Sequence, residues 1–276
     1  MPTQDDRDFK LGNRPEGLCV IASEGAPSYL KTSSISLKQD IDTFGLAGKI
    51  WHSAYTLQAL FDPERQDTIE PNHIIPTQYY QETKTKNRPY RILELGAGTG
   101  YVGISLANQL RKPCQVYITD LEQVVPLIKE NVAAYCVPES MGAEIIVDRL
   151  HWGNSTDAQR VLSGGGFDLV VVSDCVYFPE LFGMLLDTLL EVCDGSTRVV
   201  IGYKCRSLEK EVGFWQDYFG RYFMYEPVRN TSEEDGCQLL GGEEQLFVFV
   251  GRKRPENQVR AADDTFTTLL FCSMGI

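Results

Sequence analysis

The stretch Ile92–Gly100 reads ILELGAGTG and decides the fold of this chain. Its apolar first half predicts a buried strand, and the apolar run that begins at Tyr101 predicts a helix. Three glycines at alternate positions predict a sharp turn between them, where the backbone can approach a ligand closely. The stretch therefore predicts a strand, a ligand-binding turn and a helix. A dinucleotide site, or a tight turn without a ligand, remains an alternative at this point.

Strand-like and helix-like segments alternate from this stretch onward. The predicted strands are Arg91–Leu95, Gln115–Thr119, Glu144–Val147, Phe167–Ser173 and Thr197–Tyr203. The predicted helices are Tyr101–Leu110, Leu121–Ala134, Thr156–Leu162, Pro179–Cys193 and Leu208–Phe219. Strict alternation of this kind implies an α/β fold with a parallel sheet and helices on both faces. Two further strands, Tyr222–Val228 and Gln245–Gly251, have no helix between them and predict an antiparallel edge.

The flanking segments have less regular patterns. We expect a flexible lead-in over residues 1–32, a domain over 33–252 with an insertion at 62–89, and a C-terminal extension over 253–276. Apolar and polar residues alternate in Ser33–Asp40, which predicts a half-buried strand. Trp51–Phe61 has apolar residues at helical spacing and predicts an amphipathic helix. The insertion is polar and contains prolines, which predicts a long loop.

Length and charge narrow the classes of protein to consider. The 276 residues suit one α/β domain with additions. The net charge of −12 disfavours binding to nucleic acid, because phosphate contacts require clustered Lys and Arg. A basic protein partner fits this charge better, although acidity that serves only solubility fits it equally well. We also expect a monomer.

Cysteine and histidine usage indicates a reducing compartment and no metal centre. The eight cysteines form no C-x-x-C pair, and the three histidines lie far apart in the sequence. We see neither a secretory signal in the first 30 residues nor an apolar stretch long enough for a membrane span. We therefore expect a cytoplasmic protein that binds no membrane, with a nuclear location still open.

Two details of the glycine loop favour a cofactor that carries an ammonium group. Glu94 precedes the loop, where its carboxylate would attract an ammonium and repel a pyrophosphate. Tyr101 stands where a dinucleotide fingerprint has its third glycine. The pattern resembles the first motif of the Rossmann-like, seven-strand methyltransferases that use S-adenosyl-L-methionine, over roughly residues 50–252. By that resemblance the cofactor-binding candidates in the loop are Glu94, Gly96, Ala97, Gly98 and Gly100, with Gly96 to Gly98 beside the methionine part.

Asp120 ends the second predicted strand, about 20 residues after the glycines. A carboxylate at this place can accept the hydrogen bonds of both ribose hydroxyls. Asp120 followed by Gln123 also resembles a helix-capping box. The two interpretations are compatible, and we expect ribose binding.

The stretch Phe167–Tyr177 reads FDLVVVSDCVY. Ligands of doubly wound sheets bind beyond the carboxyl ends of the strands at the point where strand order reverses. In the methyltransferases that this chain resembles, the first and fourth strands flank that point, so Asp174 and Tyr177 should face the glycine loop. Asp174 could instead cap a helix, but Pro179 favours the first helical position and would make Phe178 the cap.

The Asp-x-x-Tyr pattern resembles family 16 of the protein methyltransferases, which are mostly lysine-specific. Glu94–Gly103 matches their first motif, and Gly48–Trp51 matches their Gly-x-x-Trp segment. The sequence Asp174–Tyr177 and the Tyr203-Lys204 pair look most like those of fungal enzymes that methylate lysines of translation elongation factors. The resemblance implies that Asp174 and Tyr177 are the catalytic residues. It also implies that the cofactor contacts Trp51, Trp152 and Ser173.

Alternative functions stay open at this stage. Each tryptophan could be an ordinary core residue. The acceptor could be another protein nucleophile, such as histidine, or a small molecule. A non-catalytic binding module could retain the same fold. Glu94 and the glycine spacing disfavour a nicotinamide oxidoreductase. Asp174 is better interpreted as a group that positions the target amine than as a strong base, because a carboxylate favours the charged ammonium.

Overall fold

The computed structural model describes residues 21–30, 35–81, 88–111, 113–135, 142–231, 238–240 and 245–273. In these ranges the strands are β1 (Ile69–Glu70), β2 (Tyr90–Leu95), β3 (Cys114–Asp120), β4 (Glu144–Arg149), β5 (Leu169–Ser173), β6 (Arg198–Lys204), β7 (Phe223–Pro227), β8 (Arg229–Asn230), β9 (Gln238–Leu239) and β10 (Leu246–Lys253). The α-helices are α1 (Ile41–Phe44), α2 (His52–Phe61), α3 (Tyr101–Gln109), α4 (Val125–Tyr135), α5 (Ser155–Leu162), α6 (Phe182–Val192), α7 (Leu208–Gly213), α8 (Gly220–Tyr222) and α9 (Thr265–Ser273).

Seven of the described strands form the main sheet, in the order β4-β3-β2-β5-β6-β10-β7. The strands from β2 to β6 are parallel, whereas β10 runs antiparallel to both β6 and β7. The predicted mostly parallel sheet with an antiparallel edge is therefore confirmed. The antiparallel strand lies one position inside the edge, because β10 inserts between β6 and β7.

The predicted elements between residues 91 and 219 are all present, with ends that differ by a few residues. The last predicted helix, Leu208–Phe219, begins as α7 and continues as the π-helical turn Phe214–Phe219. Apolar clusters cover both faces of the sheet. The first four residues of β5 are fully buried, as expected for a central parallel strand that is covered on both faces.

The expectation of a strand at Ser33–Asp40 is wrong for residues 35–40, and the first two positions lie outside the described residues. Side chains, and not a neighbouring strand, satisfy this backbone. The N–H of Ile35 donates to the Tyr101 hydroxyl, and the N–H of Lys38 donates to Asn131 Oδ1 at 2.8 Å. The alternating pattern arises because the apolar side chains pack on the core cluster that covers α3.

The insertion at 62–89 was expected to be a loop, but it is partly folded onto the domain. It forms 3₁₀ turns at Pro63–Thr68 and Thr77–Tyr80, and β1 pairs with β8. Three isoleucines that are hidden in a polar sequence drive this docking, because each is at most 2% exposed: Ile69, Ile74 and Ile75. Residues 82–87 of the insertion lie outside the described part.

The described part of the C-terminal extension contains α9, which docks on the aromatic side of the core. Phe266 is fully buried and stacks on Trp215, with ring centroids 5.3 Å apart. A buried ion pair between Arg254 and Asp263 holds the connection that leads into the helix. The contact of Phe266 ties α9 to the π-helical turn, which carries Trp215.

In the described part of the chain, no helix has the length and apolar character needed to cross a membrane. The cysteines whose side chains the structure describes are all free thiols: Cys114, Cys175, Cys193 and Cys205.

The docking of α9 predicts a loss of stability on truncating Phe266. Phe266→Ala should lower the free energy of unfolding by about 3 kcal/mol, because it leaves a cavity among packed rings. Urea denaturation measures this change. The control Val259→Ala removes a side chain that is 41% exposed and should change the stability by less than about 0.5 kcal/mol. Equal stability of the two variants would contradict the docking.

Candidate active site

The glycine loop between β2 and α3 depends on left-handed backbone. Gly96, Gly98 and Gly100 have φ angles of 64°, 55° and 79°, which other residues rarely adopt. Gly96 to Gly98 remain partly exposed, and Ala97 donates its N–H to the carbonyl of Thr119. Gly100 is buried at the start of α3. The loop therefore presents its first three residues to the cleft, while Gly100 shapes the turn beneath them.

Close neighbours impose a second requirement for glycine in this loop. A Cβ at Gly96 would lie 2.8 Å from both the Trp152 ring and Cys175 Sγ. A Cβ at Gly98 would lie 2.8 Å from the carbonyl oxygen of Ala47. Segments that follow β4, follow β5 and precede α2 thus converge on the loop. We call the region where the loop and these segments meet, at the carboxyl edge of the sheet, the cleft.

Glu94 lies beneath the glycine loop and not on its surface. It is 1% exposed, and its Oε2 accepts the N–H of Gly103 at 2.8 Å. Burial raises the pKa of the Glu94 carboxyl to about 8. The carboxylate thus anchors the first turn of α3, and its contact with a ligand ammonium stays a prediction.

Asp120 ends β3 and faces the loop from the neighbouring strand. Its Oδ2 accepts the N–H of Gly98 at 2.7 Å, and its Oδ1 accepts the N–H of Leu121 at 2.7 Å. Burial raises the pKa of Asp120 to about 6. Helix α4 begins only at Val125, so Asp120 does not act as its cap. The carboxylate supports the loop and leaves further lone pairs for a ligand.

Asp174 follows β5 in a strained conformation. Its φ is 58°, and its N–H donates to the carbonyl of Gly202 at 2.7 Å. Such strain at a non-glycine residue is typical of functional sites. Asp174 does not cap a helix, because the next helical turn starts at Pro179 with Phe178 in the cap position, as predicted.

Arg206, which sequence reasoning missed, binds Asp174 with both terminal nitrogens of its guanidinium group, Nη1 and Nη2. The N–O distances are 2.7 and 2.6 Å, and the Asp174 side chain is 1% exposed. The guanidinium also lies over the Trp51 ring, 5.2 Å from its centroid. A usable signal existed, since Arg206 follows β6 at the same sheet edge at which Asp174 follows β5.

Tyr177 and the two candidate tryptophans gather around one small apolar cluster. Its buried members are Leu46, Phe178 and Leu181. Trp51, Trp152 and Tyr177 pack against it and stay partly exposed, whereas Trp215 is fully buried. Of the three tryptophans, Trp215 is thus the core residue, and the other two border the cleft.

Hydrogen bonds fix the remaining polar groups of the cleft. Trp51 donates from Nε1 to the carbonyl of Leu46 at 3.0 Å. The hydroxyls of Ser173 and Ser53 lie 3.1 Å apart, which links the end of β5 to the first turn of α2. Desolvation raises the pKa of Tyr177 above its usual range, so Tyr177 is a neutral phenol at pH 7.

The sheet order and this cleft define a class of protein. Within the described residues, no group of three or more His, Cys, Asp or Glu side chains is arranged to hold a metal ion. The loop that excludes Cβ atoms, the carboxylate of Asp120 and two partly exposed indoles fit a ligand with a ribose and an aromatic base. The fold is that of the Rossmann-like methyltransferases that use S-adenosyl-L-methionine.

The family within this class follows from comparison with known proteins. Residues 29–218 match the model of the lysine methyltransferase family, and the chain belongs to that family. Protein N-lysine methyltransferase METTL21A of Danio rerio is 29% identical over 79% of this chain and 87% of its own. Protein-lysine N-methyltransferase EFM6 of Saccharomyces cerevisiae is 26% identical over 63% and 70%. EEF1A lysine methyltransferase 3 of Xenopus tropicalis is 31% identical over 57% and 66%.

The buried Glu94 predicts a specific dependence of stability on pH. Its pKa is higher in the folded protein, about 8 against 4.5 for an ordinary glutamate, so the folded state binds more protons between these values. Its contribution to stability therefore falls as pH rises through this window. Glu94→Gln lacks the effect, and its stability relative to wild type should rise from pH 5 to 8, by up to about 1.4 kcal/mol per pH unit.

Urea denaturation at several pH values measures this difference. The control Glu144→Gln removes one exposed negative charge at the start of β4 and corrects for the change in net charge. A stability difference for Glu94→Gln that is flat or falls with pH contradicts the raised pKa of the buried Glu94 carboxyl group.

Proposed function

We propose that this chain transfers the methyl group of S-adenosyl-L-methionine to a lysine side chain of a protein. The observation that carries the proposal is the meeting of two loops at the switch between β2 and β5. One is the glycine loop, and the other carries Asp174 and Tyr177. Membership of the lysine methyltransferase family supports the same conclusion.

The residues of the cleft divide into groups that suit the parts of the methyl donor. We assign the methionine part to Gly96, Ala97 and Gly98, and the ribose to Asp120. Trp152 provides an aromatic face for the adenine. Trp51 and Ser173 complete the cleft, and Glu94 and Gly100 support the loop from below. When bound, S-adenosyl-L-methionine supplies an electrophilic methyl group on a sulfonium.

The chain's own residues then orient the acceptor. A lysine amine attacks only as the neutral base, and free lysine has a pKa of about 10.4. Asp174 positions the amine but is poorly suited as a base, because two of its lone pairs already accept Arg206. The neutral phenol of Tyr177 can hydrogen-bond the amine. The apolar cluster around Phe178 excludes water, which strengthens these interactions.

Translation elongation factor 1A is the protein substrate that we propose. Support comes from relatives named EEF1A lysine methyltransferase 3 in Xenopus tropicalis and in mouse. The net charge of −12 suits a basic segment around the target lysine and disfavours nucleic acid. We further propose that the enzyme acts as a cytoplasmic monomer without membrane contact.

Cofactor binding provides the first test. Calorimetry should show binding of S-adenosyl-L-methionine and of its demethylated product, with no binding of NAD. Asp120→Ala should weaken this binding by roughly 1.5–3 kcal/mol, because a charged acceptor of ribose hydroxyls is lost. Asp120→Asn keeps an acceptor for the Gly98 N–H and separates loop support from ribose binding. Wild-type affinity in both variants contradicts the ribose assignment.

Methyl transfer provides the second test, with recombinant unmethylated elongation factor 1A and labelled cofactor. Asp174→Asn and Tyr177→Phe should each lower the single-turnover rate on the order of 10²-fold, because the loss of a positioning group misplaces the amine. Cofactor affinity should change much less. The matched control is Asp168→Asn, since Asp168 binds Arg88 with both oxygens just before β5, at the opposite end of that strand.

Mass spectrometry of the product distinguishes the alternatives. Methyl groups on lysine support the proposal, and methyl groups on histidine overturn the lysine assignment. Cofactor binding without transfer to any protein in an extract that lacks this enzyme indicates a binding module. Wild-type turnover by Asp174→Asn at saturating substrate overturns the assignment of Asp174.

A further inference from the structure

Asp174 and Arg206 form a largely buried ion pair in the cleft. The Asp174 side chain is 1% exposed and the Arg206 side chain 17% exposed. Both carboxylate oxygens accept guanidinium nitrogens, a bidentate geometry that is stronger and more directional than a single contact. The pair spans the carboxyl ends of β5 and β6, where the proposed function places the target amine.

Arg206 is itself held in place by three other groups. Its N–H donates to Glu211 Oε2 at 3.0 Å, and Glu211 also accepts the hydroxyl of Tyr203. Its guanidinium donates a further hydrogen bond to the carbonyl of Lys204 and lies over the Trp51 ring. These contacts hold the Arg206 side chain in one orientation, with its positive charge next to Asp174.

We propose that Arg206 is a positioning residue that neutralises Asp174, so that the site receives the target lysine as a neutral amine. This inference rests on the proposed function. It gives the Asp-x-x-Tyr loop a third member, from a different strand. It also resolves a conflict within the proposed mechanism, since an unpaired carboxylate would hold lysine in the form that cannot attack.

The charge next to the amine influences whether the amine is protonated. An opposite charge within about 4–6 Å favours the charged form of a group, so Asp174 alone would stabilise the ammonium. An ammonium has no lone pair for attack on the methyl group. With Arg206 in place the pair is neutral overall, and the sulfonium of the cofactor then shifts the balance towards the free amine. Asp174 keeps lone pairs with which to orient an N–H.

Several other charged or titratable groups lie around the pair. Cys175 and Tyr177 are raised in pKa by burial and stay neutral. Glu211 is engaged by Tyr203 and the Arg206 backbone. Two buried carboxyl groups lie on neighbouring elements: Glu94, which accepts the N–H of Gly103, and Asp120, which accepts the N–H of Gly98. Cys205 and Lys204 precede Arg206 in the chain. The ammonium of Lys49 lies 4.8 Å from the centroid of the Trp51 ring.

A purely structural role for the pair makes a different prediction. Breaking a buried ion pair leaves one charge uncompensated and destabilises the fold. That effect lowers the melting temperature but leaves the pH dependence of transfer unchanged. The two accounts therefore differ in an observable that does not depend on the amount of folded enzyme.

The experiment compares Arg206→Met with Arg206→Lys and with the control Arg198→Met. Arg198 lies at the opposite end of β6, where it donates to the carbonyls of His73 and Ile74. The single-turnover rate is measured against pH at saturating cofactor and recombinant elongation factor 1A. In Arg206→Met the apparent pKa of the rising limb should move up by about one to two units, with the rate recovering at high pH. Arg206→Lys should show a smaller shift, and Arg198→Met none.

A second readout needs no methyl acceptor. S-adenosyl-L-methionine carries a positive sulfonium, and its demethylated product does not. In Arg206→Met the uncompensated Asp174 should attract the sulfonium and raise the affinity for S-adenosyl-L-methionine several-fold relative to the product. The double variant with Asp174→Asn removes both charges and should return this ratio to the wild-type value.

The outcomes separate this inference from the proposed function. Wild-type protein that binds the cofactor but transfers no methyl group overturns the proposed function, while the affinity ratio still tests the role of Arg206. An unchanged affinity ratio in Arg206→Met, or an unshifted pH profile in an active enzyme, together with a lower melting temperature, overturns the inference and makes the pair a structural brace.

Discussion

The parallel pairing of β2 with β5 is the constraint on which the rest of the site depends. The register sets Leu95 opposite Val172, so both strands end at the same edge of the sheet. The glycine loop that follows β2 and the loop that carries Asp174 must then face each other. Because β3 lies on the other side of β2, Asp120 reaches the same edge and binds the Gly98 N–H. The order of the strands therefore determines which loops meet in the cleft, whatever side chains these loops carry.

Glu94, Asp120 and Asp174 are buried carboxyl groups at this edge, and each is compensated differently. Glu94 is 1% exposed, and its raised pKa keeps it largely protonated at neutral pH. Asp120 is 8% exposed and accepts two backbone N–H groups. Asp174, whose side chain is 1% exposed, is paired with Arg206. These differences suit different tasks, since a protonated group supports the loop, an N–H-bound carboxylate accepts hydroxyls, and an ion-paired carboxylate orients an amine without attracting excess positive charge.

The sequence predicted local structure and the loops well because both follow from short-range patterns. The strand, the glycine turn and the start of the helix around Gly96 follow from a short stretch of consecutive residues. The family resemblance implied that the first and fourth predicted strands flank the switch point. The strand prediction for residues 35–40 was wrong because alternation indicates only that one side of the segment is buried. An irregular segment that packs on the core buries one side as well as a strand does. The prediction of a loop over residues 62–89 was wrong in part, because three isoleucines within a polar segment leave no periodic signal.

Long-range partners could not be predicted for a different reason. Arg206 lies 32 residues from Asp174, and its role depends on the adjacency of β5 and β6 and on the conformation after each strand. The direction of the Glu94 side chain depends on the pleat of β2, which turns it towards α3. Both facts require the packed sheet. A charged residue directly after a central parallel strand is nevertheless a usable signal, because all such residues reach the same edge.

The most direct test of the central claim is a crystal structure of the protein with S-adenosyl-L-homocysteine. The account predicts that the ribose hydroxyls contact Asp120, that the amino-acid part lies along Gly96 to Gly98, and that the sulfur faces the side on which Asp174 binds Arg206. A ligand bound elsewhere would contradict it, and so would a ligand whose sulfur points away from Asp174 and Tyr177.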